Sequence, residues 1–268
     1  MKKLYLPLFL IITIAFFSCA GEEEKEVVSV QPEVTTPTAE AEPLTICSFN
    51  IQFLGHYKKR DDAALSKILT GYDIVVVQEL VAPPYTGAFP DGNAFNPDAE
   101  SAEFFDEMKS RGFKYVLSEE DTGTNDEIHE SGPATEWWVC FYKPEKVKEA
   151  GDLPSGFLAA DRSNHDDYER VPYAFAFRTA DDKLDFVFIS VHLQPGDSNA
   201  DQSRRKHELE TIASWIDSND EIEKDFIILG DMNIKDDEEL TESCPAGFKS
   251  LNNECVATNT NISGAEAL

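Results

Sequence analysis

The chain has 268 residues, 41% of them hydrophobic, which suits one sizeable domain or two small ones. Its 23 Lys and Arg stand against 51 Asp and Glu, a formal net charge of −28. Such a surface repels polyanions and excludes tight, non-specific nucleic-acid binding through a basic patch, while a divalent cation could still bridge an acidic site to a phosphate.

The chain opens "MKKLYLPLFLIITIAFFSCAGEEEKE". Lys2 and Lys3 precede an apolar run over residues 4–17, followed by Ser18 and Cys19. That run is shorter than the ~20 residues of a membrane-spanning helix and has the layout of a signal peptide. The Ser18-Cys19 junction resembles a bacterial lipoprotein signal, so residues 1–19 are expected to be a leader ending at a lipidated Cys19. An uncleaved anchor is the alternative. Either would hold the rest of the chain at a membrane, outside the cytoplasm, in the periplasm or at the cell surface. Residues 20–43 are rich in Glu, Thr, Pro and Val without helical or strand period, and read as a solvated tether.

Residues 44–268 then read as one domain of mixed strands and helices without an internal repeat. "LTICSFNIQFL" alternates like a strand, a helix is expected over 57–70, and "DIVVVQEL" is a continuously apolar strand of the kind buried on both faces. A Pro/Gly-rich loop at 82–97 leads into a helix around 98–110. "FKYVLSE", "EWWVCFYKP", "PYAFAFRT" and "LDFVFISVHLQP" give four more strands. Leu209, Ile212, Ala213 and Ile216 form one apolar stripe on a helix over 200–218, and "DFIILGDMNI" closes the series. The pattern implies sheet packed on sheet with helices outside. Cys47 and Cys140 lie inside apolar strands and read as small core residues. Cys244 and Cys255 bracket a short loop and are expected to pair in an oxidising compartment. No Cys/His cluster has zinc-site spacing, and no oligomerisation signal is evident.

Polar residues capable of chemistry recur at the strand ends: Asn50, Glu79, Glu136, His192, and Asp231 with Asn233. Each has an ordinary reading by itself. Gly230, Asp231 and Asn233 could simply stop a strand, Asn50 could satisfy a backbone group, Glu79 could cap a helix, and His192 could be a core histidine. Their joint order is far harder to reach by accident.

The ordered set SFNIQ, QEL, E-x5-Y-K-P, R-x-P, S-V-H-L and G-D-M-N resembles the endonuclease/exonuclease/phosphatase superfamily, in particular deoxyribonuclease-I-like enzymes and bacterial membrane-nuclease lipoproteins. The resemblance spans roughly residues 44–260. It implies an α/β (α+β) four-layer sandwich, with two central sheets, outer helices and a metal site at one end. It also implies metal binding at Glu79 with Asn50 beside it, by Mg²⁺ or alternatively Mn²⁺ or Ca²⁺. His192 matches a catalytic histidine paired with Glu136. Asp231 and Asn233 match the pair that positions the attacking water and the scissile phosphate. Arg170 matches an arginine that contacts the substrate backbone, with a surface ion pair as its ordinary reading. The implied activity is hydrolysis of DNA or RNA by a metal-dependent phosphodiesterase. Phospholipid or inositol-phosphate hydrolysis on the same scaffold is one alternative, and a catalytically inactive surface lipoprotein is another. The family's later aspartate and closing Ser-Asp-His have no match after G-D-M-N, and His207 precedes that motif, so the domain reads as truncated or frame-shifted at its C-terminus.

Overall fold

The computed structural model describes residues 4–5, 43–56, 59–123, 135–161 and 165–251. Apart from residues 4–5, the expected leader with Cys19 lies outside these residues, as do nearly all of the tether and Cys255 with its expected pairing. In chain order the elements begin β1 (Leu4–Tyr5), β2 (Thr45–Leu54), α1 (Asp62–Leu69), β3 (Ile74–Leu80), β4 (Gly87–Ala88) and β5 (Ala94–Phe95). They continue α2 (Ala99–Ser110), β6 (Lys114–Leu117), β7 (Trp137–Tyr142), β8 (Val147–Glu149), β9 (Gly156–Phe157) and β10 (Tyr173–Thr179). The last are β11 (Asp185–His192), α3 (Asn199–Asp217), β12 (Phe226–Asp231) and α4 (Asp237–Ser243). Among the described residues no helix is long and apolar enough to cross a membrane.

Two sheets carry the fold. The first has the order β1-β2-β3-β7-β6, and the second the order β12-β11-β10-β8 with β9 also on β10. Alternation along each strand sorts its side chains between two faces. Ile74 and Val76 of β3, with Trp138 and Cys140 of β7, meet Phe175, Phe177, Phe186 and Phe188 of the second sheet in one buried layer. The other face of the first sheet, including Val75, Val77, Val139 and Phe141, packs on Leu69 of α1 and on Phe104, Phe105 and Met108 of α2. Val187, Ile189 and Val191 of β11 turn the other way, onto Leu209, Ile212 and Ile216 of α3. The result is four layers: helices, sheet, sheet, helix. This double-sided burial is why "IVVV" in β3 reads as an unbroken apolar run.

Capping explains where the helices start. Asp61 accepts the Ala64 N–H, so α1 begins at Asp62, five residues after the start that the pattern suggested. Ser198 and Asp201 form a reciprocal capping box that opens α3. The loop expected over 82–97 contains the β4–β5 hairpin, whose Phe89 and Phe95 rings lie 5.7 and 5.1 Å from that of Trp137. Cys47 and Cys140 are buried, and burial pushes the Cys47 thiol up to about 11. Cys244 is half-buried, with Sγ 3.6 Å from the Phe248 carbonyl.

Topology decides where the polar strand ends go. β2 and β3 are parallel, as are β11 and β12, so Asn50 and Glu79 lie toward the C-terminal ends of their strands, as do His192 and Asp231. β7 runs antiparallel to β3 and pairs Trp137 with Leu80, which brings Glu136, just before it, to the same end. β10 runs antiparallel to β11 and pairs Tyr173 with Ser190, which brings Arg170 there as well.

Candidate active site

The site starts from an irregularity in the backbone. In a regular strand Glu79 would follow Val75 and Val77 toward the helix layer. Instead the register slips between Val77 and Leu80 on one side of β3, and between Asn50 and Leu54 of β2 on the other. Glu79 takes φ +63°, and Gln52 and Phe53 take +60° and +55°, a left-handed conformation costing about 1–2 kcal/mol for each non-glycine residue. The bulges turn the Glu79 carboxylate onto Asn50 and free its N–H for a new partner. Asn50 Nδ2 donates to Glu79 Oε1 at 2.7 Å and to Asp231 Oδ2 at 2.8 Å. The Phe53 N–H donates to Glu79 Oε2 at 3.0 Å, and the Gln52 N–H to Asn50 Oδ1 at 2.9 Å.

Glu136 forms the second half. Its Oε2 accepts the Glu79 N–H at 2.7 Å. Its Oε1 faces both His192 Nδ1 at 2.9 Å and Arg170 Nε at 2.8 Å. Burial pushes the Glu136 carboxyl up, but the His192 charge and hydrogen bond, Arg170 and the Glu79 amide outweigh it and hold the group below the usual carboxylate range. Burial also pushes the His192 imidazole down, and the Glu136 carboxylate more than offsets that, leaving it above the usual histidine value. Arg170 therefore faces Glu136 with its Nε.

Gly230 answers to the same crowding. It sits opposite Val191 at φ +150°, and a Cβ there would lie 1.9 Å from the Val191 carbonyl oxygen. The missing side chain lets β12 close on β11, which sets Asp231 Oδ2 3.9 Å from His192 Nε2. Asn233, at φ +50°, has its side-chain N–H₂ on the Leu193 carbonyl at 2.9 Å, and its own N–H on Asp231 Oδ1 at 3.2 Å. It ties the loop after β12 to the loop after β11.

Ligand atoms of Glu79, His192 and Asp231 all lie within 4.8 Å of one another. Two of these residues are carboxylates joined by a single neutral amide nitrogen, an arrangement that concentrates negative charge and suits a hard cation. Sequence reasoning missed a polar staple beneath the site. Ser48 Oγ donates to Gln78 Oε1, and Gln78 Nε2 donates to Ser190 Oγ, each at 3.3 Å, across the otherwise apolar layer between the sheets. A buried Gln directly before Glu79 was its only trace in the sequence.

No family model matches the chain. It is similar, at 25% identity over 202 residues, to a deoxyribonuclease of Thioalkalivibrio sp. (strain K90mix), covering 75% of this chain and 49% of that protein. The chain thus spans about half the length of this curated relative. Among solved structures it is similar to a functionally unknown conserved protein of Enterococcus faecalis V583, with TM-score 0.49 and 15% identity over 74% of this chain and 71% of that one. It is also similar to an endonuclease/exonuclease/phosphatase family protein of Bacteroides thetaiotaomicron, with TM-score 0.45 and 14% identity over 72% and 63% of the two chains. The structural neighbours thus include endonuclease/exonuclease/phosphatase family proteins, and the curated relative is a deoxyribonuclease.

Proposed function

We propose that this chain is a metal-dependent phosphodiesterase of the endonuclease/exonuclease/phosphatase superfamily, acting as a nuclease on DNA or RNA. The observation that carries the reading is one pair of adjoining arrays: Arg170–Glu136–His192 beside Glu79–Asn50–Asp231. The similarity to a deoxyribonuclease supports it. Glu79 and Asp231 are the residues to hold Mg²⁺ (or Mn²⁺ or Ca²⁺), with Asn50 beside them, and the bound ion supplies positive charge for the phosphoryl oxygens.

The chain's own residues do the rest. The carboxylate of Glu136 keeps the proton of His192 on Nδ1, which leaves Nε2 free to take or give one at the reacting oxygen. Arg170 keeps Glu136 ionised inside a buried pocket. In this reading Asp231, with Asn233, orients the attacking water and the scissile phosphate. The order of Lys2, Lys3, apolar run, Ser18 and Cys19 supports a lipid anchor at Cys19 and an extracytoplasmic location.

The test is EDTA-sensitive, Mg²⁺-dependent cleavage of DNA and RNA by the purified chain, lost in His192→Ala. Cleavage of phospholipid or inositol phosphate alone would replace nucleic acid as the substrate. Labelled palmitate should appear on the wild-type chain and vanish in Cys19→Ala; equal labelling of the two would remove the anchor.

A further inference from the structure

Helix α3 carries two charged side chains that are fully buried, Arg205 and Glu208, three residues apart and so on one face. Neither belongs to the arrays described above. Glu208 accepts the backbone N–H of Glu169 on Oε1 at 2.6 Å and that of Gln194 on Oε2 at 2.9 Å. Arg205 donates from Nη1 to the carbonyls of Gln194 and Gly196, at 2.8 and 2.7 Å. Gln194 is therefore gripped at both of its backbone groups, the N–H by one side chain and the carbonyl by the other. Arg205 Nε pairs with Glu239 Oε1 of α4 at 2.6 Å, and Glu239 Oε2 accepts the Lys235 N–H at 3.0 Å.

The gripped segments are the ones that deliver the site. Glu169 directly precedes Arg170, Gln194 follows His192 by two residues, and Lys235 follows Asn233 by two. Apolar side chains, Leu209, Ile212 and Ile216 with Trp215, already pack α3 on its sheet. A buried carboxylate and guanidinium add a desolvation cost that apolar side chains would avoid. What they provide instead is fixed backbone in three loops. Catalytic groups on loops lose productive geometry with shifts of about 1 Å unless a supporting shell holds them.

We propose that Glu208, with Arg205 one turn before it, is a positioning residue of the site. It aims Arg170 and His192 at Glu136 by fixing the backbone on either side of them. The catalytic consequence rests on the phosphodiesterase reading; the structural consequence stands without it.

Amide exchange and imidazole NMR on the full chain test this. In the wild type the Glu169 and Gln194 amides should exchange at least about 100-fold more slowly than exposed loop amides. Glu208→Gln keeps the shape but turns an N–H₂ toward one of the two donors. It should speed exchange of that amide about 10-fold and shift the His192 Nδ1–H signal, while β10 and β11 keep their protection. Leu209→Ala, a packing change on the same helix, should lower stability and leave the His192 signal in place. In the activity assay Glu208→Gln should lower kcat about 10-fold with KM changed less than about twofold. Wild-type amides that exchange like exposed ones would overturn the proposal, even if Glu208→Gln fails to fold. So would a His192 signal that moves no further in Glu208→Gln than in Leu209→Ala. A wild-type chain that cleaves no phosphodiester would remove the functional reading, and the exchange and imidazole results would still decide the positioning role.

Discussion

At Glu136 one buried carboxylate meets three partners: the Arg170 and His192 side chains face one oxygen as ion pairs, and the Glu79 N–H donates to the other. Glu136→Gln should therefore act twice. It leaves the Arg170 guanidinium without its charge partner inside the protein, a change that costs about 3–5 kcal/mol for a buried pair. It also turns an amide toward His192 Nδ1 and removes the negative charge that the proposed reading needs beside the imidazole. Urea unfolding should show the stability loss, and cleavage should fall ~10²–10⁴-fold as for other acid–base losses. Stability within 0.5 kcal/mol of wild type, roughly the scatter of a neutral surface change, would mean that the pair is not a buried charge partnership. Gly230 offers an independent reading of the same end of the molecule. Gly230→Ala places a methyl carbon against the Val191 carbonyl, where backbone and not a flexible side chain must yield. Overpacking of this kind costs about 1–3 kcal/mol, and the parting of β11 and β12 should lower activity more than stability. A fully active Gly230→Ala variant would show that the 3.9 Å approach of Asp231 to His192 is not needed for the reaction.

At the scale of elements, Asp73 fastens the starts of the two central strands of the first sheet. Its Oδ2 accepts both the N–H and the hydroxyl of Thr45 at 2.9 Å, and Lys143 Nζ lies 3.4 Å from Oδ1. Burial pushes this carboxyl up, but the Thr45 hydrogen bonds and Lys143 prevail and hold it below the usual aspartate value. The folded state therefore prefers the ionised form. Its stabilisation is complete above the unfolded pKa of ~3.9 and is lost as pH falls through the lower folded value. Asp73→Asn should cost about 1.5–3 kcal/mol at neutral pH, typical of hydrogen bonds to a charged group, and the two proteins should converge in acid. A difference that persists unchanged at low pH would assign the effect to packing. Elements of this sort show what was legible in the sequence. The strands came through because β3, β7, β10 and β11 are long apolar runs, and α3 because Leu209, Ile212 and Ile216 recur at helical spacing. Asn50, Glu79, Glu136, His192 and Asp231 were visible because each precedes, follows or interrupts such a run. The sharing of one Asn50 amide by two carboxylates was not visible, since Asn50 and Asp231 are 181 residues apart. Nothing in the helical pattern marked Arg205 and Glu208, because a local pattern cannot tell a solvent face from a loop packed over it. The β4–β5 hairpin hid among Pro and Gly for the same reason: its two-residue strands are held by Phe89 and Phe95 on a distant Trp137.

At the scale of the whole molecule, the charge of −28 bears directly on the metal reading. An acidic surface attracts cations over its entire extent, so binding of Mg²⁺ alone says little about where it binds. The carboxylates of Glu79 and Asp231 meet across one amide nitrogen, and without a cation their repulsion opposes folding. In EDTA, Glu79→Gln and Asp231→Asn should therefore unfold at the wild-type temperature or above it, unlike most substitutions in a packed site. Mg²⁺ should reverse the order. At ~100 times its dissociation constant a ligand adds about 2.7 kcal/mol to the wild type, and the two variants should gain much less. Raising NaCl toward ~1 M shrinks the Debye length to about 3 Å and removes the diffuse attraction of the surface. The wild-type increment should then shrink without vanishing, because a cation in contact with two carboxylates is screened far less than one in the surrounding atmosphere. The measurement is the Mg²⁺-induced rise in unfolding temperature at low and high salt for the three proteins. Equal rises in wild type and variants, all abolished by salt, would place the ion on the acidic surface at large, and the paired carboxylates would then need another explanation.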